Sequence, residues 1–241
     1  MIPIRDNIQP RCTPVINYAL LGFTAFAFVL QLNHSDALIG ELGMIPARLS
    51  GNETAPTEIN GDDLPDSFFS PWTTVVSCVF LHGSVMHLAG NLWFLWIFGD
   101  NVEDRMGRFG FFVFYVCAGA VASLTHFAFQ PDSPIPTIGA SGAVAGVMGA
   151  YMVLYPRARV TALVPLFFIL QIMTVRAPLF LGVWFVFQLL QGTFSMNSTE
   201  VAGVAWWAHA GGFAFGFVVA MILRRKEYDV QPRVRVVRID R

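Results

Sequence analysis

Charge is scarce in this chain: of its 241 residues only 13% are charged, whereas 55% are apolar, and the mean hydropathy is +0.57. A water-soluble core does not need that much apolar material. Cysteine is scarce too. Cys12, Cys78 and Cys117 fall on one side of the expected membrane or within apolar stretches, which excludes an external disulfide framework and gives no sign of redox chemistry. The first apolar stretch lacks a small-residue cleavage site, so it is read as a permanent span rather than a signal peptide. No internal repeat and no second soluble domain are visible. Carboxylates are missing at the depth where the chemistry described below would sit, since Asp132 and Glu200 both lie in connections.

Apolar stretches, in contrast, are plentiful. Segments near the length needed to cross about 30 Å of hydrocarbon run from about Pro14 to Leu32, Trp72 to Phe98, Phe109 to Phe129, Ile138 to Tyr155, Ala177 to Gln191 and Val204 to Leu223. A further run, Thr161 to Val175, is short for a crossing and is bracketed by Arg157, Arg159 and Arg176, which makes it interfacial or re-entrant. With six spans and a cytoplasmic N-terminus, the lysines and arginines gather on one side, from Arg5 and Arg11 to the tail residues Arg224 to Arg241, and only Arg48 falls opposite. A seventh span would destroy that asymmetry. The expectation is therefore an all-α, six-span membrane protein with both termini cytoplasmic, in a plasma (inner) membrane. Residues 1–13 form a cytoplasmic segment, 14–223 the membrane domain and 224–241 a basic cytoplasmic tail.

The net charge of −1 conceals an acidic outer loop, Asn33 to Ser70, and the basic inner tail. The tail suits anionic lipid rather than nucleic acid. The loop is long for a connection and should carry some internal order, with Ser50 to Asp66 mobile.

Polar residues inside apolar stretches are costly and face the protein interior. In the second span His87 and Asn91, four apart, share a helix face, whereas His82 falls roughly opposite Asn91 at about 100 degrees per residue. An unbroken helix keeps His82 out of that cluster and leaves it a structural hydrogen bond to a loop. Interhelical glue is the plain alternative for His87 and Asn91.

In the fourth span Gly142, Gly146 and Gly149 form a stripe that admits close approach of another helix. Ser141 stands beside the stripe at the helix start, next to free backbone N–H groups and the positive end of the dipole, which suit an oxyanion. His209 in the sixth span precedes Gly212 and Gly216 on nearly the same face. If the two glycine stripes pack together, Ser141 and His209 come within hydrogen-bond reach, the geometry of an activated serine. With no carboxylate at that depth, the expected unit is a Ser-His dyad. Metal binding is disfavoured because His82 and His87 are poorly phased and nothing completes a tetrahedral site; no cofactor is expected. His34 and His126 are read as interfacial, and Trp72, Trp206 and Trp207 as outer-interface anchors.

These residues resemble the rhomboid family of intramembrane serine proteases: His82-x4-His87-x3-Asn91, Glu103-Asp-Arg105, Gly139-Ala-Ser141-Gly142 and Ala208-His209-x2-Gly212-x3-Gly216, in order on separate segments. The resemblance implies a six-helix bundle in which Ser141 is the nucleophile and His209 the general base and acid. His87, Asn91 and the Ser141 N–H would hold the oxyanion. Glu103 and Arg105 would be structural, bonding the inner loop. The outer loop would flank the site, partly embedded in the membrane, and the Gly192 to Gly203 connection would cap it. Substrates would be single-span or other membrane proteins, cut in or near their transmembrane segments. Two features depart from many members: Trp72 is followed by Thr73 rather than arginine, and Ala145 replaces the aromatic residue that stacks on the histidine. A catalytically inactive rhomboid-like protein that binds membrane helices is the alternative, with a six-span transporter behind it. Gln188, Trp184, Phe185 and Phe187 of the fifth span are candidates for the route by which a substrate arrives. The oligomeric state is not legible.

Overall fold

The computed structural model describes residues 1–32, 35–51, 58–59, 62–63, 70–166, 169–195 and 205–223. Most of these are helical. Helix α1 (Val15–Gln31) begins after Pro14 and is followed by α2 (Ser35–Leu42) and α3 (Pro46–Leu49) of the outer loop. Helices α4 (Thr74–Ser77), α5 (Val85–Met106), α6 (Arg108–Phe129), α7 (Ser141–Leu154), α8 (Ala177–Ser195) and α9 (Trp206–Leu223) complete the helical set among the described residues. Of these, α6, α8 and α9 are each long and apolar enough to cross a membrane, and the bent segment Pro71–Phe80 plus Val85–Met106 makes a fourth. Helices α1 and α7 are apolar but shorter.

Helix α7 is the axis of the molecule. Every residue from Gly142 to Leu154 except Met152 is buried, because α5, α6 and α9 pack around it. In a membrane, lipid tails are as apolar as leucine, so helices associate through close packing rather than hydrophobic transfer. Small residues supply that closeness: a Cβ on Gly212 would collide with the Gly142 carbonyl, and one on Gly216 with the Gly146 carbonyl. Around the other side, a Cβ on Gly142 or Gly146 would meet Ala122 or Ala118 of α6.

The second expected span, Trp72 to Phe98, is not one helix. Its two parts meet at 78°: a 3-10 turn and α4 give way to a second 3-10 turn at Cys78–Phe80, and Leu81 and Ser84 are extended. Ser84 caps the new helix, its hydroxyl accepting from the His87 N–H at 3.1 Å. Backbone groups freed inside a membrane protein need partners, and the Gln31 side chain supplies both for His82. Its Oε1 accepts from the His82 N–H at 2.9 Å and its Nε2 donates to the His82 carbonyl at 2.7 Å.

The all-α expectation also needs correction. Thr161 to Val175 forms an antiparallel hairpin of β4 (Arg159–Leu166) and β5 (Ile169–Arg176), paired from Arg159↔Arg176 to Leu166↔Ile169. The N-terminal segment contributes β1 (Ile2–Asp6), which joins β4 to give the order β1-β4-β5. The β-branched residues of the run, Val160, Thr161, Val164, Ile169, Ile172, Thr174 and Val175, suit a strand pair better than a helix. Two further short strands, β2 (Glu58–Ile59) and β3 (Asp62–Asp63), pair in the outer loop. Most of the loop segment Ser50 to Asp66, most of the Gly192 to Gly203 connection, the basic tail and His34 lie outside the described residues.

Candidate active site

Ser141 opens α7, and the chain turns into that helix through Gly139, whose φ of +124° is a conformation L side chains rarely adopt. A Cβ there would also stand 2.7 Å from the His87 ring. The Gly139 N–H donates to the Cys78 carbonyl at 2.9 Å, fixing the turn against the broken segment. Glycine is required twice over at this position.

The stripe contact between α7 and α9 sets Ser141 opposite His209. The Ser141 hydroxyl lies 2.7 Å from His209 Nε2, and on the far side of the ring Gln188 Oε1 lies 2.7 Å from Nδ1. With the amide oxygen of Gln188 turned to it, Nδ1 carries the proton and donates, which leaves the Nε2 lone pair for the serine O–H. His209 and Gln188 are both buried. The indoles of Trp184 and Trp206 flank the imidazole, each with its ring centre 6.0 Å away. Ala145 itself is fully buried, so the constraint that an aromatic residue there would give comes from α8 and α9.

The break in the second span brings His82 to the cluster from which an unbroken helix would exclude it. Its Nε2 faces the Asn91 amide at 3.0 Å and the Ala140 N–H at 3.4 Å, and its ring meets that of His87 edge-on at 5.0 Å. Because His82 Nε2 accepts from Ala140, the Asn91 group turned to it is the NH₂, which keeps a second N–H for other partners. His82, His87 and Asn91 thus form one unit, and the bond to Ala140 ties it to the turn before Ser141.

A cavity of about 410 Å³ reaches Ser141, His209 and His87, lined also by Ser84, Gly139 and Ala205 among others. Outer-loop residues brace its rim. Met44 exchanges backbone hydrogen bonds with Thr137 at 3.1 and 2.7 Å, and the Ala47 N–H donates to the Ser133 carbonyl at 3.1 Å. Those contacts anchor the loop where the tryptophan-arginine pair is missing.

The Glu103 carboxylate accepts from the Ile16 and Asn17 N–H groups at 3.1 and 2.7 Å, capping α1, which has no side-chain cap of its own, and its carbonyl accepts from the Gly107 N–H at 2.8 Å in the turn after α5. The Arg105 guanidinium lies 5.8 Å above the Tyr155 ring. His126 is buried near the end of α6, and Trp207 stacks on Phe129 at 4.0 Å. Gln188, read from sequence only as part of an access route, is the site residue whose place was missed; a lone amide within an apolar helix was the available signal. Among the described residues, no group of three or more His, Cys, Asp or Glu comes together as a metal site.

Comparison with known proteins agrees with the motifs. Residues 70–226 match the family model of the Rhomboid domain. The chain is 39% identical over 79 residues to "Rhomboid-like protein 11, chloroplastic" of Arabidopsis thaliana, covering 33% of the chain and 28% of that protein. It is 38% identical over 81 residues to "Rhomboid protease GluP" of Bacillus subtilis (strain 168), covering 34% of the chain and 15% of that protein. To "Rhomboid protein 1, mitochondrial" of Saccharomyces cerevisiae the identity is 30% over 91 residues, covering 36% of the chain and 26% of that protein. The matched segments therefore span well under two thirds of each of these relatives.

Proposed function

The chain belongs to the rhomboid family, a family of multi-pass membrane proteins with both proteases and inactive members, and on that premise we propose that it is an intramembrane serine endopeptidase. The observation that carries the reading is the 2.7 Å contact between the Ser141 hydroxyl and His209 Nε2 inside the cavity. In this reading the bundle has six spans, with α1 and α7 as its shorter members. Both termini face the basic side of a plasma membrane, and the cavity opens to the opposite side. Water reaches the dyad from there, and membrane protein substrates arrive from the lipid.

The proposed reaction follows from the atoms in place. His209 Nε2 takes the hydroxyl proton as Ser141 Oγ attacks the scissile carbonyl carbon, and the carbonyl oxygen gains negative charge. The Ser141 N–H, at the start of α7, a His87 ring N–H and the free Asn91 N–H are the donors available to it. The intermediate collapses to an acyl-serine as His209 returns the proton to the departing amine. A water, deprotonated by the same nitrogen, then releases the acyl group. Gln188 acts through His209: it holds the productive tautomer and stabilises the imidazolium that forms, the part a carboxylate plays in a triad. A neutral amide does so without placing a second charge in the bundle, where an isolated carboxylate would be expensive.

The test is cleavage of a single-span membrane protein by the purified chain in lipid vesicles, with Ser141→Ala and His209→Ala beside the parent. Both variants are expected to lose cleavage while remaining folded. A folded parent that cuts none of several substrates, or a Ser141→Ala variant that cuts at the parental rate, would overturn the reading in favour of a helix-binding role.

A further inference from the structure

The cavity beside Ser141 extends past the groups that the proposed reaction uses. Part of its wall is small or apolar, from Val79, Gly83, Gly119 and Ala143, and among these residues stand two polar side chains, Cys78 and Ser123. Both are buried, and the cavity is the space they border. Ser123 Oγ on α6 lies 3.3 Å from Sγ of Cys78, which opens the second 3-10 turn, and Sγ lies 3.7 Å from the Val75 carbonyl. A hydroxyl is the stronger donor and a thiol the weaker, so the protons order as a relay: Ser123 O–H donates to Sγ, and Sγ–H to Val75. Ser123 thus uses its only proton inside the wall. Two residues on, the Thr125 hydroxyl bonds back into α6, to the Val121 carbonyl at 2.7 Å, but Ser123 has no second partner among the described residues. Its lone pairs are left for whatever enters the cavity.

Cys78 also sets where this acceptor stands relative to the scissile bond. Its carbonyl accepts from the Gly139 N–H at 2.9 Å, in the turn before Ser141, whereas His209 meets the Ser141 hydroxyl from α9. In the proposed reaction His209 returns its proton to the departing amine, so the chain beyond the cut lies on the α9 side. The residue that supplies the attacked carbonyl then lies on the Gly139 side, and its side chain is the one that reaches Cys78 and Ser123.

We propose that Cys78 and Ser123 form a substrate subsite that favours a hydrogen-bond donor, serine above all, as the residue whose carbonyl is attacked. The inference rests on the endopeptidase reading and adds a specificity to it. Serine and alanine differ by one oxygen and fill nearly the same space, so packing does not separate them. An alanine side chain leaves the Ser123 lone pairs facing a methyl group, or leaves there a water with few other polar partners. A serine side chain donates to Ser123 and replaces that water. The bond is buried but neutral on both sides, so the discrimination it gives is about five- to tenfold. Cysteine fits the same space with a weaker donor and should fall between the two.

The probe is a single-span membrane protein that the full chain cuts in lipid vesicles, its cut site mapped by mass spectrometry and the residue before the cut made serine, cysteine or alanine in turn. For the parent, kcat/KM is expected to fall in that order, about five- to tenfold from first to last. Ser123→Ala, shown by thermal melts to be folded, should bring the three substrates within about twofold of one another. Equal kcat/KM for the serine and alanine substrates in the parent would overturn the proposal without need of any variant. A Ser123→Ala protein that keeps the parental preference would overturn it too, as would one that slows all three substrates alike, the mark of a water held for every turnover. The endopeptidase reading fails differently: a folded parent would take up no fluorophosphonate at Ser141 and cut none of several membrane proteins, and the subsite would fall with it.

Discussion

Gln188 Oε1 stands 2.7 Å from Nδ1 of His209, on the opposite side of the imidazole from Ser141. A side chain on α8 thus fixes the face that the His209 imidazole on α9 presents to the Ser141 hydroxyl on α7.

Replacing Gln188 by leucine leaves the Nδ1 proton without an acceptor in a buried site. An unsatisfied group of that kind costs about 1–3 kcal/mol, so kcat is expected to fall roughly ten- to a hundredfold at nearly constant KM. Gln188→Glu restores an acceptor and should recover much of the loss. Steady-state kinetics on the three proteins decide it, and a leucine variant with parental kcat would remove Gln188 from the site.

His82 and Asn91 should behave as a pair. Losing one oxyanion donor lowers kcat roughly a hundred- to a thousandfold, which is the expectation for His87→Ala and for Asn91→Ala. His82→Ala should act mainly by releasing the Asn91 amide, so the double variant His82→Ala, Asn91→Ala should lose far less than the product of the single effects. Strict additivity of the two in ln kcat would contradict the hydrogen bond at 3.0 Å as the link between them.

The glycine contact should control both stability and activity. A Cβ at Gly212 meets the Gly142 carbonyl, whereas one at Gly22 meets nothing within 4 Å. Overpacking costs about 1–3 kcal/mol, so Gly212→Ala should lower Tm and reduce kcat by moving α9 away from Ser141. Gly22→Ala should leave kcat unchanged and hold or raise Tm. Thermal melts with parallel activity assays provide the check.

Asp6 gives the inner sheet a pH dependence. Burial pushes its carboxyl up to about 6, partly offset by the Tyr151 hydroxyl that donates to it. A carboxyl raised in the folded state favours folding most below the ordinary carboxylate range, and that contribution is lost as pH rises through about 6. The Tm should therefore decline between pH 5 and roughly pH 7, and Asp6→Asn should flatten the decline. Asp100 faces the same region and remains in the variant, so the expected change is a reduction in slope rather than a flat line.

Much of the helical framework was legible because it is written locally. Apolar length located α6, α8 and α9, and glycines at spacings of three and four announced the α7–α9 contact. The break at Leu81 to Ser84 was not read, although Gly83 and a capping serine mark it, because apolar composition runs straight through from Trp72 to Phe98. That one omission put His82 on the wrong side of Asn91. The sheet escaped for a different reason: β1 and β4 are more than 150 residues apart, and Ile2↔Leu163 leaves no periodic trace in either segment.

By itself the sequence determined which residues are candidates for the chemistry and which surfaces approach closely, since residue type, helical phase and small side chains are local properties. Only the tertiary structure decided that Gln188 meets His209, that Glu103 caps α1, and that the first residues become a strand. Each of these joins groups from separate elements. Their meeting depends on how far one helix slides or turns against another, and that is settled by the packing of the whole bundle.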